Sequence, residues 1–327
     1  MSCKSDAVQI LNFLKQLKKQ TWLGPARSWW PDYVFRFDDI ENVSQILNSG
    51  KILSRREIAR KGLFHKDCAS PKVLSSTSDK WKDYVRLYFR PRTPTQYDGE
   101  GFRAKQDYKL GAHFPVPIVM LFDASDILTR DSTKFSNGNL AAEAITGDNL
   151  EFLKTIPFDK VYHDTWFGPQ ERSSIIFHRH AEVIVPNELD ITALKFIGCR
   201  TQAEYETLMH LLSTVARKKL LSKIGLGTKL NLHNRRWTFV EQASMSAELI
   251  RFQFNPSSLS PGPFWAKVQI EENATGNFYS WEDKSYNANA VLKLNISSMK
   301  DASSYKVTLT LDGNLAYKNS FEVAVPF

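Results

Sequence analysis

The run KDYVRLYFRPRTPTQY, residues 82–97, mixes apolar and basic side chains in an extended pattern and then meets Pro91 and Pro94. It reads as a strand that passes into a proline-marked loop. Its surroundings keep that texture: YVFRF (33–37), KVLSSTS (72–78), VPIVMLFD (116–123), HAEVIVP (180–186) and ALKFIGC (193–199) are further strand candidates, apolar or alternating. After the first of these, DDIENVSQILNSG (38–50) predicts a helix with Asp38 or Asp39 as N-cap and Gly50 as stop. Residues 6–21 predict an amphipathic opening helix on Val8, Ile10, Leu11, Leu14 and Leu17, with lysines near its C-terminal end. Residues 131–155 read as loop and then helix, and TQAEYETLMHLLSTVARKKLLSKIG (201–225) as one long helix capped by Thr201. Up to about residue 220 the chain is therefore mixed α and β.

From residue 237 the helical period disappears. WTFVEQ, AELIRFQFN, FWAKVQIEEN, NAVLKLNI, YKVTLTLD and FEVAVPF succeed one another as short strands, and Asp312-Gly313 is a strong hairpin signal. The expectation is an α+β domain over 30–236, preceded by a helical extension at 1–29 and followed by an immunoglobulin-like β-sandwich at 237–327. The sandwich carries no His, Cys or clustered carboxylate constellation, so binding or scaffolding is assigned to it.

The 327 residues, 42% hydrophobic, are enough for two cores. The N-terminus lacks signal-peptide character and no apolar run is long enough to span a bilayer, so a soluble, cytoplasmic, membrane-free protein is expected. Cys3, Cys68 and Cys199 are too few and too scattered for a disulfide framework or a zinc site; a reducing compartment and no metal follow. The net charge of +8 suits a polyanionic partner. Residues 217–240 hold seven Lys or Arg and no Asp or Glu. A second group, Arg86, Arg90, Arg92, Arg103, Lys105 and Lys109, is interleaved with aromatic residues, a mixture that suits single-stranded nucleic acid. A solvated basic face over core aromatics is the plainer account of both.

Dinucleotide, phosphate-loop, zinc-protease, nucleophile-elbow and CxxC signatures are all missing, which demotes hydride transfer, nucleoside triphosphate hydrolysis and zinc chemistry. What stands out is a carboxylate, Glu182, among His180, Ala181, Val183, Ile184 and Val185. A strand glutamate is more often an edge residue or an ion-pair partner than a catalyst.

Taken in order, FRFDDIENVSQILNSG, KDYVRLYFRPRTPTQY, VPIVMLFD and RHAEVIVPNELDITALKFIGC resemble the DarT family of nucleic-acid ADP-ribosyltransferase toxins. The resemblance covers most of residues 30–220, and a DYVxxYFxPRxP string is its most specific part. It implies the ADP-ribosyltransferase fold, NAD as donor, single-stranded DNA or RNA as target and an antitoxin protein as partner. Breaking the bond between nicotinamide and ribose builds positive charge on the ribose, which a carboxylate can stabilise while accepting a proton from the attacking base. The resemblance gives that role to Glu182. It gives Arg36, six residues before Asn42, a contact with the NAD ribose or phosphate, whereas Asn42 has local helix-start bonding as an equal alternative. Tyr88 and Phe89 are expected under the nicotinamide, with core packing as the other account; Arg90 and Arg92 are expected toward nucleic acid. Arg179 and His180 flank the site and are likewise expected toward nucleic acid, and strand alternation would put His180 on the face of Glu182. Residues 167–178 are expected to form the loop that meets the substrate base.

One arginine of the family pattern has no clear counterpart. Arg55, Arg56 and Arg60 compete for it, and Arg60 is favoured as the second catalytic residue. Ser76-Thr77-Ser78 resembles the serine-threonine-serine strand of arginine-specific protein ADP-ribosyltransferases, which keeps a protein substrate open. A catalytically inactive nucleic-acid-binding module is the third possibility.

Overall fold

In the computed structural model, which describes residues 2–63, 65–67, 77–108, 113–289 and 291–323, the strand β1 (Tyr33–Asp39) runs straight into a helix, Ile40–Ser49. Asp39 is the cap: its side chain accepts from the Glu41 N–H at 3.1 Å. Gly50 ends the helix at φ +75°, where a side chain would be strained, and its N–H donates to the Ile46 carbonyl at 2.9 Å. Ile40, Val43, Ile46 and Leu47 are buried on one face.

Nine further strands complete the first part of the chain: β2 (Lys51–Leu53), β3 (Tyr84–Tyr88), β4 (Pro117–Asp123), β5 (Lys134–Ser136), β6 (Thr146–Gly147), β7 (Glu182–Pro186), β8 (Glu188–Asp190), β9 (Leu194–Cys199) and β10 (Ile224–Leu226). Eight of the strands form one sheet in the order β10-β9-β4-β1-β3-β7-β5-β6, while β2 and β8 pair separately. β4 is buried almost throughout because it lies between β1 and β9, which explains its unbroken apolar sequence. β1 pairs with β4 over seven residues but meets β3 at one pair, Phe35↔Tyr88. The sheet opens at that junction.

Seven strands follow. β11 (Val240–Met245), β12 (Leu249–Phe254) and β15 (Leu292–Asn295) make one antiparallel sheet; β13 (Phe264–Glu272), β14 (Phe278–Tyr286), β16 (Ser304–Leu311) and β17 (Asn314–Glu322) make the other. Phe252 of the first sheet meets Tyr317 of the second with ring centroids 5.5 Å apart. The α+β class with a terminal all-β sandwich is thus observed. Asp312 and Gly313 form the β16–β17 turn with φ +49° and +76°, as their sequence predicts.

Some sequence expectations need correction. Residues 201–225 form two helices, Gln202–Leu211 and Thr214–Leu220, rather than one. Leu212 is extended, Ser213 caps the second helix, and Asn48 clips the joint by accepting from Ser213 N–H and donating to the Leu211 carbonyl. β14 escaped the sequence reading because most of its side chains are exposed or half-buried, leaving no hydrophobic alternation. The last strand begins at Asn314, upstream of the expected FEVAVPF, and residues 324–327 lie outside the described residues. The opening helix, Ala7–Leu17, buries Ile10, Leu14 and Leu17 in the common core. At roughly 1.5–3 kcal/mol for each buried side chain, that contact holds it firmly to the fold.

Candidate active site

β3 and β7 pair with Tyr88 opposite Glu182 and Arg86 opposite Ile184. Opposed residues share a face, so Tyr88 and Glu182 sit side by side and Arg86 is the diagonal neighbour of the carboxylate. Glu182 is 1% exposed. Its N–H donates to Ser136 Oγ at 2.9 Å, and that hydroxyl donates to the Gly138 carbonyl at 2.8 Å, which fixes the backbone at the head of β7. The Arg86 guanidinium donates through Nε to one carboxylate oxygen and through Nη2 to the other. Burial opposes the charge of Arg86, but Glu182 outweighs it and holds the guanidinium above its usual pKa.

Across the opening between β1 and β3, Arg36 Nη1 donates to the Arg86 carbonyl at 3.1 Å and Nη2 to Asp38 Oδ2 at 2.6 Å. Arg36 Nε is buried and has no acceptor among the described residues. The Tyr88 ring stacks on Phe37 at 5.5 Å and 8°. Burial, and then the Glu182 charge, push its hydroxyl up to about 12. Arg36, Phe37, Asp38, Arg86 and Tyr88 line a cleft enclosing about 1080 Å³, part of it open solvent, whose lining also includes Arg55, His65 and Trp81. A cationic donor with a spare N–H and a stacked aromatic surface meet in that cleft, and the buried Glu182 carboxylate pairs with Arg86 of its wall.

The DarT family model, described as ssDNA thymidine ADP-ribosyltransferase, matches residues 35–225, more than half of the chain. The chain belongs to the DarT family. It is an ADP-ribosyltransferase by that membership, and the match contains all the cleft residues described above. Among solved structures, it is similar to Thermus sp. 2.9 DarT in complex with ADP-ribosylated ssDNA, at 16% identity and a TM-score of 0.47 over 61% of this chain and 96% of that one. The same DarT in complex with NAD+ gives 17% identity and a TM-score of 0.44 over 60% and 93%. Thermosipho africanus DarTG in complex with ADP-ribose gives 16% and 0.46 over 66% and 53%. A search of the curated proteins finds no match.

Of the residues singled out from sequence, Tyr88 and Arg36 line one cleft, and Glu182 pairs with Arg86 of its wall. Others lie elsewhere. Arg60 is exposed and pairs with Glu57 at 2.7 Å; Arg55, on another side of the same short helix, lines the cleft instead, paired with Asp67 at 2.7 Å. Phe89 points away from Tyr88 by strand alternation and is buried edge-on against Phe158 at 5.2 Å. Arg90 is 1% exposed, lies 5.1 Å from the centre of the Trp30 ring and donates to the carbonyls of Val161 and His163 and to Asp164, so it does not face nucleic acid. Burial drops its pKa to about 9. Arg92 also pairs with Asp164.

Asn42 bonds locally. Its amide donates to Asp38 Oδ1 at 2.7 Å and to the Lys66 carbonyl at 2.9 Å, and its oxygen accepts from Lys66 N–H at 2.9 Å, which braces the segment below Arg36. Lys66 also pairs with Asp39, whose carboxyl burial pushes up to about 6 against the pull of that lysine. Arg179 and His180 belong to the end of a helix, Arg172–His178, and the turn after it, so the strand begins at Glu182 and the expected base-selecting loop is partly helical. Arg179 donates to His163 Nδ1 at 2.9 Å and lies over Phe167. His180 Nδ1 donates to the Ile176 carbonyl at 2.8 Å, which leaves Nε2 to accept from the Thr95 hydroxyl at 3.1 Å. Burial keeps that ring neutral, its pKa lowered to about 4, and it contacts Thr95 rather than Glu182.

Arg86 is the residue that the sequence reading left in a basic cluster. The sequence offers YVRLYF and EVIVP as strands but not their pairing; the observed register puts Arg86 within reach of Glu182. Of the serine-threonine-serine string, Thr77 lies on the cleft wall, while Ser76 and most of KVLSSTS lie outside the described residues, as do Cys68 and Lys109. Among the described residues no helix is long and apolar enough to cross a membrane, and no group of three or more His, Cys, Asp or Glu is placed to hold a metal ion.

Proposed function

We propose that this DarT-family enzyme takes ADP-ribose from NAD and attaches it to a thymidine base of single-stranded DNA, with Glu182 as the catalytic carboxylate. The observation that carries this reading is the buried Glu182 carboxylate beside Tyr88 and Arg86, two residues of a cleft where Arg36 keeps a buried N–H without an acceptor among the described residues. NAD, as substrate, supplies the ribosyl carbon whose bond to nicotinamide is broken.

Arg36 holds the ribose or phosphate end of the donor through its spare Nε–H, a job that suits a fixed guanidinium. Tyr88, stacked on Phe37, offers a ring surface to the nicotinamide. Glu182 lies where a carboxylate stabilises positive charge on the ribose and takes the proton from the attacking base nitrogen. Its place at the end of a central strand keeps it from wandering. The target is unpaired, since a base in a duplex is stacked and hydrogen-bonded. Modification of DNA harms its host, so the reading extends to a cytoplasmic toxin held in check by an antitoxin protein.

The test is incubation with labelled NAD and, separately, a thymidine-containing single strand, its duplex, an RNA of matching sequence and mixed cell protein. Label is expected on the single-stranded DNA and absent with Glu182→Gln. Label on RNA alone moves the target, and label on protein alone sinks the reading. Expression of the wild type, but not of Glu182→Gln, is expected to arrest growth.

A further inference from the structure

We propose that Arg86 is a positioning residue for Glu182, fixing both carboxylate oxygens from the wall of the cleft. This rests on the reading of the cleft as the transfer site. The family string DYVxxYFxPRxP leaves this position open, so the resemblance assigns no role to it.

Three observations carry the proposal. The pair is a fork: Nε and Nη2 of Arg86 engage different oxygens of Glu182, which fixes the plane of the carboxylate as well as its place. The two partners differ in exposure, Glu182 at 1% and the Arg86 side chain at 28%, so the arginine forms part of the cleft wall and the carboxylate lies behind it. Arg86 is itself braced, because its carbonyl accepts from Arg36 Nη1 across the opening of the sheet. A motion of the donor-holding arginine is thereby passed to the strand that carries the carboxylate's partner.

The chemistry needs this economy of acceptors. A carboxylate offers about four lone-pair positions. The fork takes one on each oxygen and leaves one on each, enough for a ribose hydroxyl and for the proton of a base nitrogen. Without Arg86 the buried carboxylate would lose its ion-pair partner and turn toward any available donor, and a displacement of about 1 Å at a catalytic group costs on the order of 100-fold in rate.

The test measures kcat and KM for transfer from NAD to single-stranded DNA in the wild type, Arg86→Ala, Arg86→Lys and Glu182→Gln, with folding checked by circular dichroism. Arg86→Ala is expected to lower kcat by roughly 100-fold while KM for NAD changes by less than about threefold. Added guanidinium ion at millimolar concentration is expected to restore part of that loss and to leave Glu182→Gln inactive. Arg86→Lys keeps the charge and loses the fork, and is expected to fall about tenfold in kcat. Should Arg86→Ala fail to fold, Arg86→Lys alone decides. An unchanged kcat in the folded variants, or a change confined to KM, overturns the proposal. A wild type that labels no nucleic acid overturns the transferase reading and this proposal with it, an outcome distinct from an active wild type that tolerates the loss of Arg86.

Discussion

Glu182 and Arg60 are the two catalytic candidates of the sequence, and only Glu182 pairs with a residue of the cleft wall. The difference lies in what each position implies about direction. A strand residue has one of two faces, so the run of buried neighbours around Glu182 already placed it inside. A residue on a one-and-a-half-turn helix points wherever the helix axis is aimed, and Arg60 is aimed at solvent. Glu182→Gln is expected to lower transfer by at least about 1,000-fold, a loss typical of a general base or charge-stabilising group, with the melting temperature little changed because the exposed part of Arg86 stays hydrated. A collapse of the circular dichroism signal in that variant would show the residue to be structural. Arg36→Lys removes the Nε–H and the planar fork but keeps the charge. Its expected effect is a rise in KM for NAD of about tenfold with kcat reduced less, and an unchanged KM would remove Arg36 from the donor site.

At the scale of elements, caps and turns were legible because they depend on the residue itself. Asp39, Thr201 and Gly50 stand where a sequence reading puts helix ends, and Asp312-Gly313 closes the hairpin. Thr201 does more than cap. Its hydroxyl accepts from Glu204 N–H at 3.2 Å and donates to the Val240 carbonyl at 2.8 Å, tying the helix to the first strand of the sandwich. Thr201→Ala is therefore expected to cost about 1–2 kcal/mol in a urea melt, and a change below a few tenths would mean that neither bond matters. The break at Ser213 was not legible, because Asn48, distant in sequence, supplies the bonds that fix it. The basic and aromatic run after β3 misled for a related reason. Its arginines find carbonyls and Asp164 within the protein, and no local pattern distinguishes such a guanidinium from one that faces a phosphate.

Across the whole molecule, a buried polar cluster of the first part lies beside the joint with the second, where Arg235 pairs with Glu241 at 2.8 Å. Arg200, wholly buried, donates to Glu204 and Glu100, and Glu100 accepts from the backbone N–H groups of Asn234 and Arg235 at 3.0 and 2.9 Å. Burial pushes the Glu100 carboxyl up, but Arg200 and these N–H groups prevail and hold it below its usual value. The helix Gln202–Leu211 lies against β17, where Tyr317 donates to Glu206 at 2.8 Å. Deletion of residues 242–327 uncovers that face, so the shortened chain is expected to be insoluble or to bind a hydrophobic dye strongly. A soluble, active shortened enzyme would contradict this.

The fold also sets a pH response. Burial lowers His113 to about 3 and His180 and His233 to about 4, all from an ordinary 6.5. Each folded value lies below the unfolded one, so the stability these rings contribute is complete above pH 6.5 and is lost as the pH falls through 4 and 3. Asp39, raised to about 6, acts in the opposite sense: its contribution is complete below 3.8 and lost as the pH rises through 6. With the lowered histidines, His65, His163 and His210 among them, outnumbering the raised carboxyls Asp39 and Glu204, thermal melts are expected to show the melting temperature falling between pH 6.5 and 4, and a flat profile over that range would refute the assignment.

Read alone, the sequence carries the main strands of the first part, the all-β change of texture after residue 237, the family of the first part and the choice of Glu182 as the carboxylate to test. Those depend on period, on local backbone preference and on motifs in a fixed order. Which arginine meets that carboxylate emerges from the folded sheet. A guanidinium reaches several ångströms from its backbone, and its partner is set by strand register and by the opening of the sheet between β1 and β3, neither of which is encoded near the residue itself.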